Sequence, residues 1–258
     1  MSYSIDAVAE FEDFVEDMYD FADEQSLDVD TLIHENGAAQ LEINFNHGDP
    51  LKMADQVFVF KRTVRETAQR HNMYATFMAK PMQKEPGSAL HIHQSVLSLD
   101  TGRNIFNGDD DEPTEALMNY IAGLQRYTPD LISFYAPNVN SYRRLAPDIS
   151  APINLSWGYD NRTTAFRVPE SSPDNRRVEN RFPGADANPY LAIAASLASG
   201  LLGLRKSLQP TAPHQGTAND EAVAVARSLE EAVRQLTLDP DLNDVMGDLF
   251  LKAYAARS

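Results

Sequence analysis

The chain has no cysteine among its 258 residues. Disulfides, iron–sulfur clusters and thiolate zinc sites are therefore excluded. Basic charge is scarce: 22 Lys and Arg stand against 38 Asp and Glu, a formal net charge of −16. That balance excludes a dedicated nucleic-acid binder, because phosphate recognition needs clustered positive charge. Long hydrophobic runs are also missing. The longest uncharged apolar stretch, Tyr190 to Leu204, is too short to span a bilayer, and no signal-peptide pattern stands at the start. There is no Gly-x-x-x-x-Gly-Lys-Ser/Thr and no Gly-x-Gly-x-x-Gly, so neither a P-loop nor a Rossmann nucleotide site is offered. The expectation is a soluble, cytoplasmic protein with neither nucleic acid nor membrane as partner.

What is present is the composition of a globular chain, 43% hydrophobic and 23% charged, long enough to bury a sizeable core. The acid is uneven. Residues 1–51 hold 14 Asp and Glu and no Lys or Arg. Much of it falls between Ile5, Val8, Phe11, Val15, Met18 and Ala22, whose spacing predicts an amphipathic helix from Ser4 to about Glu24 with a solvated acidic face.

Further along, the pattern predicts strands at Gln40–Asn46, Tyr74–Met78, Ala89–Leu97, Pro152–Trp157, Thr163–Val168 and Arg176–Phe182. Helices are predicted at Leu51–Asn72, with Ala54, Val57, Phe58, Val64 and Ala68 inward, from Pro113 to about Tyr127, from Asn188-Pro189 to about Lys206, and after a Ser228-x-x-Glu231 capping box. Residues 108–112 and 207–219 read as loops. No repeat or composition break forces a second domain. Strands set among helices without a βαβ rhythm give α+β.

Three constellations could do chemistry. Glu35 and Glu42 lie on a loop running into a strand, and paired carboxylates can hold a divalent metal; plain exposure is the bland alternative. His91, His93 and Ser95 share one face of a strand by its period of two, after a Gly87-Ser turn, and suit metal and phosphate oxygens or a merely polar sheet face. Residues 143–181 hold seven Arg, with Glu179 between Arg177 and Arg181 on one strand face; these suit bidentate binding of carboxylate and phosphate, or an exposed salt-bridge stripe. Together they form an inventory for phosphoryl transfer to an acid.

At these residues the chain resembles the glutamine synthetase family. The resemblance rests on Lys80-Pro-Met…Pro-Gly-Ser-Ala-Leu-His91-Ile-His-Gln-Ser95, Asn140-Ser-Tyr-Arg-Arg-Leu-Ala-Pro, Trp157-Gly-Tyr-Asp-Asn-Arg162 and Glu179-Asn-Arg-Phe-Pro…Ala-Asn-Pro-Tyr190, in family order through nearly the whole chain. It implies an α+β fold with a curved, mainly antiparallel sheet forming an active-site cup flanked by helices. It also implies an ATP-dependent carbon–nitrogen ligase that phosphorylates the γ-carboxylate of glutamate and lets an amine displace phosphate.

By matching position, Glu35 and Glu42 hold one metal (Mg²⁺ or Mn²⁺), and His91 with Glu179 the other. His93, Gln94, Ser95, Arg162, Arg167 and Arg177 contact ATP. Gly87, Arg144, Arg162 and Arg181 hold glutamate, with Arg162 also stabilising the transferring phosphoryl group.

Three departures qualify the match. Nothing before Ser4 resembles the family's small β-grasp domain or its Glu-x-Glu metal strand, so residues 1–258 are expected to be a partial catalytic domain with each metal site one carboxylate short. The family chain also continues past a segment like Phe250–Tyr254, and the family's homo-oligomer is not carried over. Ser150 stands where glutamine-forming members place a flap Glu that helps deprotonate ammonium. With the Trp-Gly-Tyr-Asp-Asn-Arg wording, this resembles the γ-glutamylpolyamine synthetase branch, whose acceptor is an organic amine such as putrescine. A glutamine synthetase using another base and a non-catalytic nucleotide-binding or assembly remnant are the alternatives.

Overall fold

Residues 11–88 fold around two helices and a hairpin. Helix α1 (Glu12–Glu24) buries Phe14, Met18 and Ala22 and turns six of its seven acids to solvent, while the half-exposed Asp17 pairs with His71 Nε2 at 2.8 Å. Strand β1 (Val29–His34) pairs antiparallel with β2 (Leu41–Phe45), and helix α2 (Pro50–Arg70) follows. Asp49 caps α2 by accepting from the backbone N–H of Leu51 and Lys52, with Pro50 in the first turn. Phe60, Val64 and Ala68 of α2 meet Phe14 and Met18, and the Phe60 ring stands edge-on to Phe45 at 5.1 Å. The computed structural model describes residues 11–146, 151–218, 223–236 and 239–256, so the predicted helix start at Ser4 and the flap position Ser150 lie outside the described residues.

Sequence and structure differ here in instructive ways. β1 is missing from the pattern because a bulge between Val29 and Leu32 breaks the alternation. The predicted strand Tyr74–Met78 has the alternation without the ladder: Met73, Ala75 and Phe77 pack inward and Tyr74 is exposed, yet these residues form no strand. Phe58 is exposed where it was expected inside, because it lies about 100° round from Val57 and the buried stripe runs through Phe60 instead.

Residues 89–258 form a second compact unit. Its sheet runs in the order β3 (Ile92–Gln94), β6 (Val178–Asn180), β5 (Phe166–Val168), β4 (Trp157–Tyr159), antiparallel except for the parallel β4–β5 pair. All four strands have three residues. β3, β5 and β6 lie inside the predicted runs Ala89–Leu97, Thr163–Val168 and Arg176–Phe182, but β4 shares only Trp157 with the predicted Pro152–Trp157. Residues 152–156 form no strand, and Asn154 Oδ1 instead holds the Ser156 N–H and hydroxyl in a local turn.

Behind the sheet lie helices α3 (Glu115–Tyr135) and α4 (Pro189–Arg205). α3 runs eight residues past the predicted end, through Pro129, because Leu131, Ile132, Phe134 and Tyr135 are buried and outweigh the lost backbone bond. The two helices cross closely: a Cβ added at Gly123 would sit 2.1 Å from the Ser199 carbonyl oxygen, and one at Gly200 2.1 Å from the Tyr120 ring. Helices α5 (Leu229–Leu236) and α6 (Asp248–Ala255) complete the unit. The Ser228 hydroxyl accepts from the Glu231 N–H, but the Glu231 carboxylate bonds the Arg227 N–H, so only half of the capping box forms. Among the described residues, no helix is long and apolar enough to cross a membrane.

Candidate active site

Strand register builds the second unit's site. His93 stands opposite Glu179, and Glu179 opposite Arg167, so the three form a row across β3, β6 and β5 on one sheet face. The other face buries Ile92, Gln94, Val178, Asn180, Phe166 and Val168 against the helices.

Glu179 is the hub, and its side chain is almost wholly buried. Its Oε2 accepts from Arg167 at 3.0 Å, and its Oε1 accepts from Arg181 at 2.8 Å and lies 3.2 Å from His91 Nδ1. Burial alone would raise the carboxyl pKa, but the positive groups around it prevail and hold it down at about 2. Burial, with Arg181 and Arg144 nearby, pushes His91 down to about 3, so it is a neutral imidazole at ordinary pH. Beside an ionised carboxylate, Nδ1 then carries the proton and Nε2 keeps its lone pair.

Arg167 also grips Asp160 through Nε (3.1 Å) and Nη2 (2.6 Å). Arg177 Nε donates to His93 Nδ1 at 3.2 Å. Arg144 is 4% exposed and donates to the carbonyl oxygens of Phe182 (2.7 Å) and Arg181 (2.9 Å). Burial and the neighbouring Arg181 lower its pKa to about 10, which leaves it charged at neutral pH. Nε of Arg181 is buried without a hydrogen-bond partner. Buried guanidinium groups lacking a full set of acceptors fit an anionic ligand.

The remaining predicted residues are placed less uniformly. Ser95 is exposed on the same alternation as His91 and His93. Gln94 points the other way: its Oε1 accepts from Tyr120 Oη (2.7 Å) and its Nε2 donates to Ser196 Oγ (2.8 Å), so its side chain is an anchor beneath the strand and not part of the site face. Arg162 is exposed on the turn after β4.

Glu35, Glu42 and Gly87 belong to the first unit. There Ile33 pairs with Glu42, and the Glu35 N–H bonds the Gln40 carbonyl oxygen, which puts both glutamates on one hairpin face as diagonal neighbours. Gln40 Nε2 donates to the Gly87 carbonyl oxygen at 3.0 Å and so ties that segment to the hairpin tip.

A neutral imidazole beside a carboxylate, and two carboxylates on one hairpin face, fit a divalent cation in kind. In number each is a partial set: among the described residues no three His, Asp or Glu gather as metal ligands. Asp160 and Asp186 escaped the sequence reading. Asp186 accepts from Ser141 Oγ (2.6 Å) and Asn138 Nδ2 (3.0 Å) at the turn leading to Arg144. Only their places, two residues before Arg162 and inside the Pro183–Tyr190 string, could have pointed to them.

Comparison with known proteins identifies the family. The family model described as glutamine synthetase, catalytic domain, matches residues 1–257. The chain is 36% identical over 256 residues to γ-glutamylputrescine synthetase PuuA of Escherichia coli (strain K12), covering 98% of this chain and 54% of that protein. It is 43% identical over 204 residues to a glutamate–isopropylamine ligase of a Pseudomonas species (77% of this chain, 44% of that protein). A glutamine synthetase of Pyrococcus abyssi is 36% identical over 230 residues, covering 86% and 52%. Among solved structures, ligand-free GmaS superposes with a TM-score of 0.88 at 30% identity, over 99% of this chain and 60% of that one. The chain thus spans about half the length of the curated relatives it matches. With a match along virtually its whole length, it belongs to the glutamine synthetase family, in the catalytic domain.

Proposed function

We propose that this chain carries the ATP- and glutamate-binding part of a ligase that joins the γ-carboxylate of glutamate to an organic amine. A γ-carboxylate oxygen attacks the γ-phosphorus of ATP and ADP leaves. The amine then attacks the acyl phosphate, phosphate departs, and the nitrogen loses a proton. The observation that carries this reading is the arginine-rich sheet face around Glu179, where Arg144 and Arg181 are buried and charged beside Arg167 and Arg177.

Arg144 and Arg181 would take the carboxylates of glutamate, and Gly87 its backbone side. His93, Ser95, Arg167 and Arg177 would hold ATP. Gln94 would serve through its backbone, its side chain being committed to Tyr120 and Ser196. Arg162 would meet the negative charge that builds up on the transferring phosphoryl group. His91 with Glu179, and Glu35 with Glu42, would hold Mg²⁺ or Mn²⁺, which supplies further positive charge against the phosphate oxygens. Ser150, at the flap position, cannot act as an anionic base, which favours an amine acceptor over ammonium. The names of the relatives support both acceptor classes, since glutamine synthetases stand beside the amine ligases.

Glutamate-dependent phosphate release from ATP, measured with putrescine, isopropylamine and ammonium, tests the reading. The 258-residue chain is expected to turn over weakly, with organic amines ahead of ammonium. Preference for ammonium transfers the assignment to glutamine synthesis. Failure of Arg144→Ala to weaken glutamate binding removes the reading altogether.

A further inference from the structure

Residues 207–218 belong to no motif of the site, yet part of this loop runs along the open edge of the sheet. The His214 N–H donates to the Trp157 carbonyl oxygen at 2.7 Å, and Trp157 Nε1 donates to the Thr211 carbonyl oxygen at 2.7 Å. β4 is an edge strand of the sheet, so the segment occupies a backbone carbonyl on that open edge. At Gly158 the approach is close: an added Cβ would lie 2.9 Å from the His214 carbonyl oxygen.

The strap then fastens both neighbours of Arg162. Asn161 Nδ2 donates to the Gly216 carbonyl oxygen at 2.8 Å. Asn161 Oδ1 accepts from the Thr163 N–H (3.0 Å) and from Thr163 Oγ1 (2.7 Å). Thr163 Oγ1 in turn accepts from the Ala218 N–H at 2.9 Å, and the Ala218 carbonyl oxygen accepts from Asn154 Nδ2 at 2.8 Å. The Thr164 hydroxyl closes the turn onto the Asn161 carbonyl oxygen at 2.8 Å. Thus the backbone on each side of Arg162 is held, while the arginine side chain itself is exposed.

We propose that Asn161 and Thr163 are positioning residues, and that the 211–218 strap acts through them to hold Arg162 in place for the phosphate groups of a nucleotide. This rests on the ligand reading of Arg162 given above. The Thr163 hydroxyl is the joint of the device, because it donates to Asn161 and accepts from the strap at once. Fixing the backbone that carries a cationic side chain saves the ordering entropy that a free turn would lose on binding.

The test is isothermal titration of Mg·ATP into the 258-residue chain and its variants, together with amide hydrogen exchange at Ala218. Arg162→Ala is expected to weaken binding about tenfold or more, through loss of a charge-assisted contact. Thr163→Val, which keeps the shape and removes the hydroxyl, is expected to weaken binding about three- to tenfold and to speed exchange at Ala218. Thr163→Ser is expected to restore both, and thermal midpoints should stay within about 4 °C. Thr163→Ala serves in the same way if valine prevents folding. Wild-type affinity in a folded Thr163→Val or Thr163→Ala variant, with Arg162→Ala still weakened, overturns the positioning role and leaves the functional reading intact. Wild-type affinity in Arg162→Ala overturns that reading and the positioning role with it.

Discussion

The two compact units treat charge in opposite ways. In the first, residues 1–51 carry 14 acids and no base; among the described residues Glu12, Asp13, Glu16, Asp20, Asp23 and Glu24 of α1 are exposed, and Glu35 and Glu42 are half-exposed on a hairpin face. In the second, a carboxylate is almost wholly buried between two arginines and a histidine, and Arg144 is buried beside them. Solvated charges act nearly independently and leave the fold indifferent to them. Buried charges depend on one another, so the second unit's candidate site is also part of what holds its sheet together.

Replacing the hub would test that contrast most severely. Glu179→Ala leaves Arg167 and Arg181 without their shared carboxylate, and should lower the stability of the second unit by about 3–5 kcal/mol in denaturant unfolding. A loss below about 1 kcal/mol would make the second unit's charges as dispensable as those of the first.

The helix crossing behind the sheet comes next in expected size. Gly200→Ala forces a methyl group into the Tyr120 ring, whose hydroxyl holds Gln94, and should cost about 1–3 kcal/mol by the same measurement.

Acid should separate the units too. Both His91, shifted from 6.5 to about 3, and Glu179, from 4.5 to about 2, bind fewer protons when folded than when unfolded. Their stabilisation is therefore full above pH 6.5. It falls as pH drops, first through His91 and below about 4.5 through Glu179 as well. Thermal midpoints followed from pH 7 to 3 should show this decline, and His91→Asn should flatten its first part. An unchanged slope in that variant would mean that His91 is not held neutral.

Smallest of all should be Glu35→Ala and Glu42→Ala, each within about 1 kcal/mol of the wild-type stability. Their effect is expected instead on divalent-metal binding by titration. A larger loss of stability would put them in the structural class of Glu179.

Legibility in the sequence followed the same division. α1 and α2 are readable because each buries a stripe at the helical period, and α4, apolar nearly all round, is readable from the Asn188-Pro189 start that caps it. The predicted end of α3 at about Tyr127 falls eight residues short, because burial of the turns after Pro129 overrides the local penalty of that proline. β1 was lost to its bulge, and the Tyr74–Met78 alternation has no ladder because a strand needs a partner that local pattern cannot supply. At the site, the period of two placed His91 and His93 on one face and Arg177, Glu179 and Arg181 on another strand. That Glu179 joins His91 to Arg167 and Arg181 could not be read, since those contacts cross from strand to strand.

By itself the sequence determined the family, through motif order, and the chemical inventory: carboxylates, imidazoles and an excess of arginine in 143–181, with no thiol. Tertiary structure alone decided which of these are solvated and which are buried together. It turned the Gln94 side chain from the site face to an anchor, and it brought the 211–218 strap to the turn that carries Arg162. The physical reason is that residue type and local period are properties of neighbours in the chain. Burial, register and charge pairing are properties of neighbours in space, and folding alone sets those.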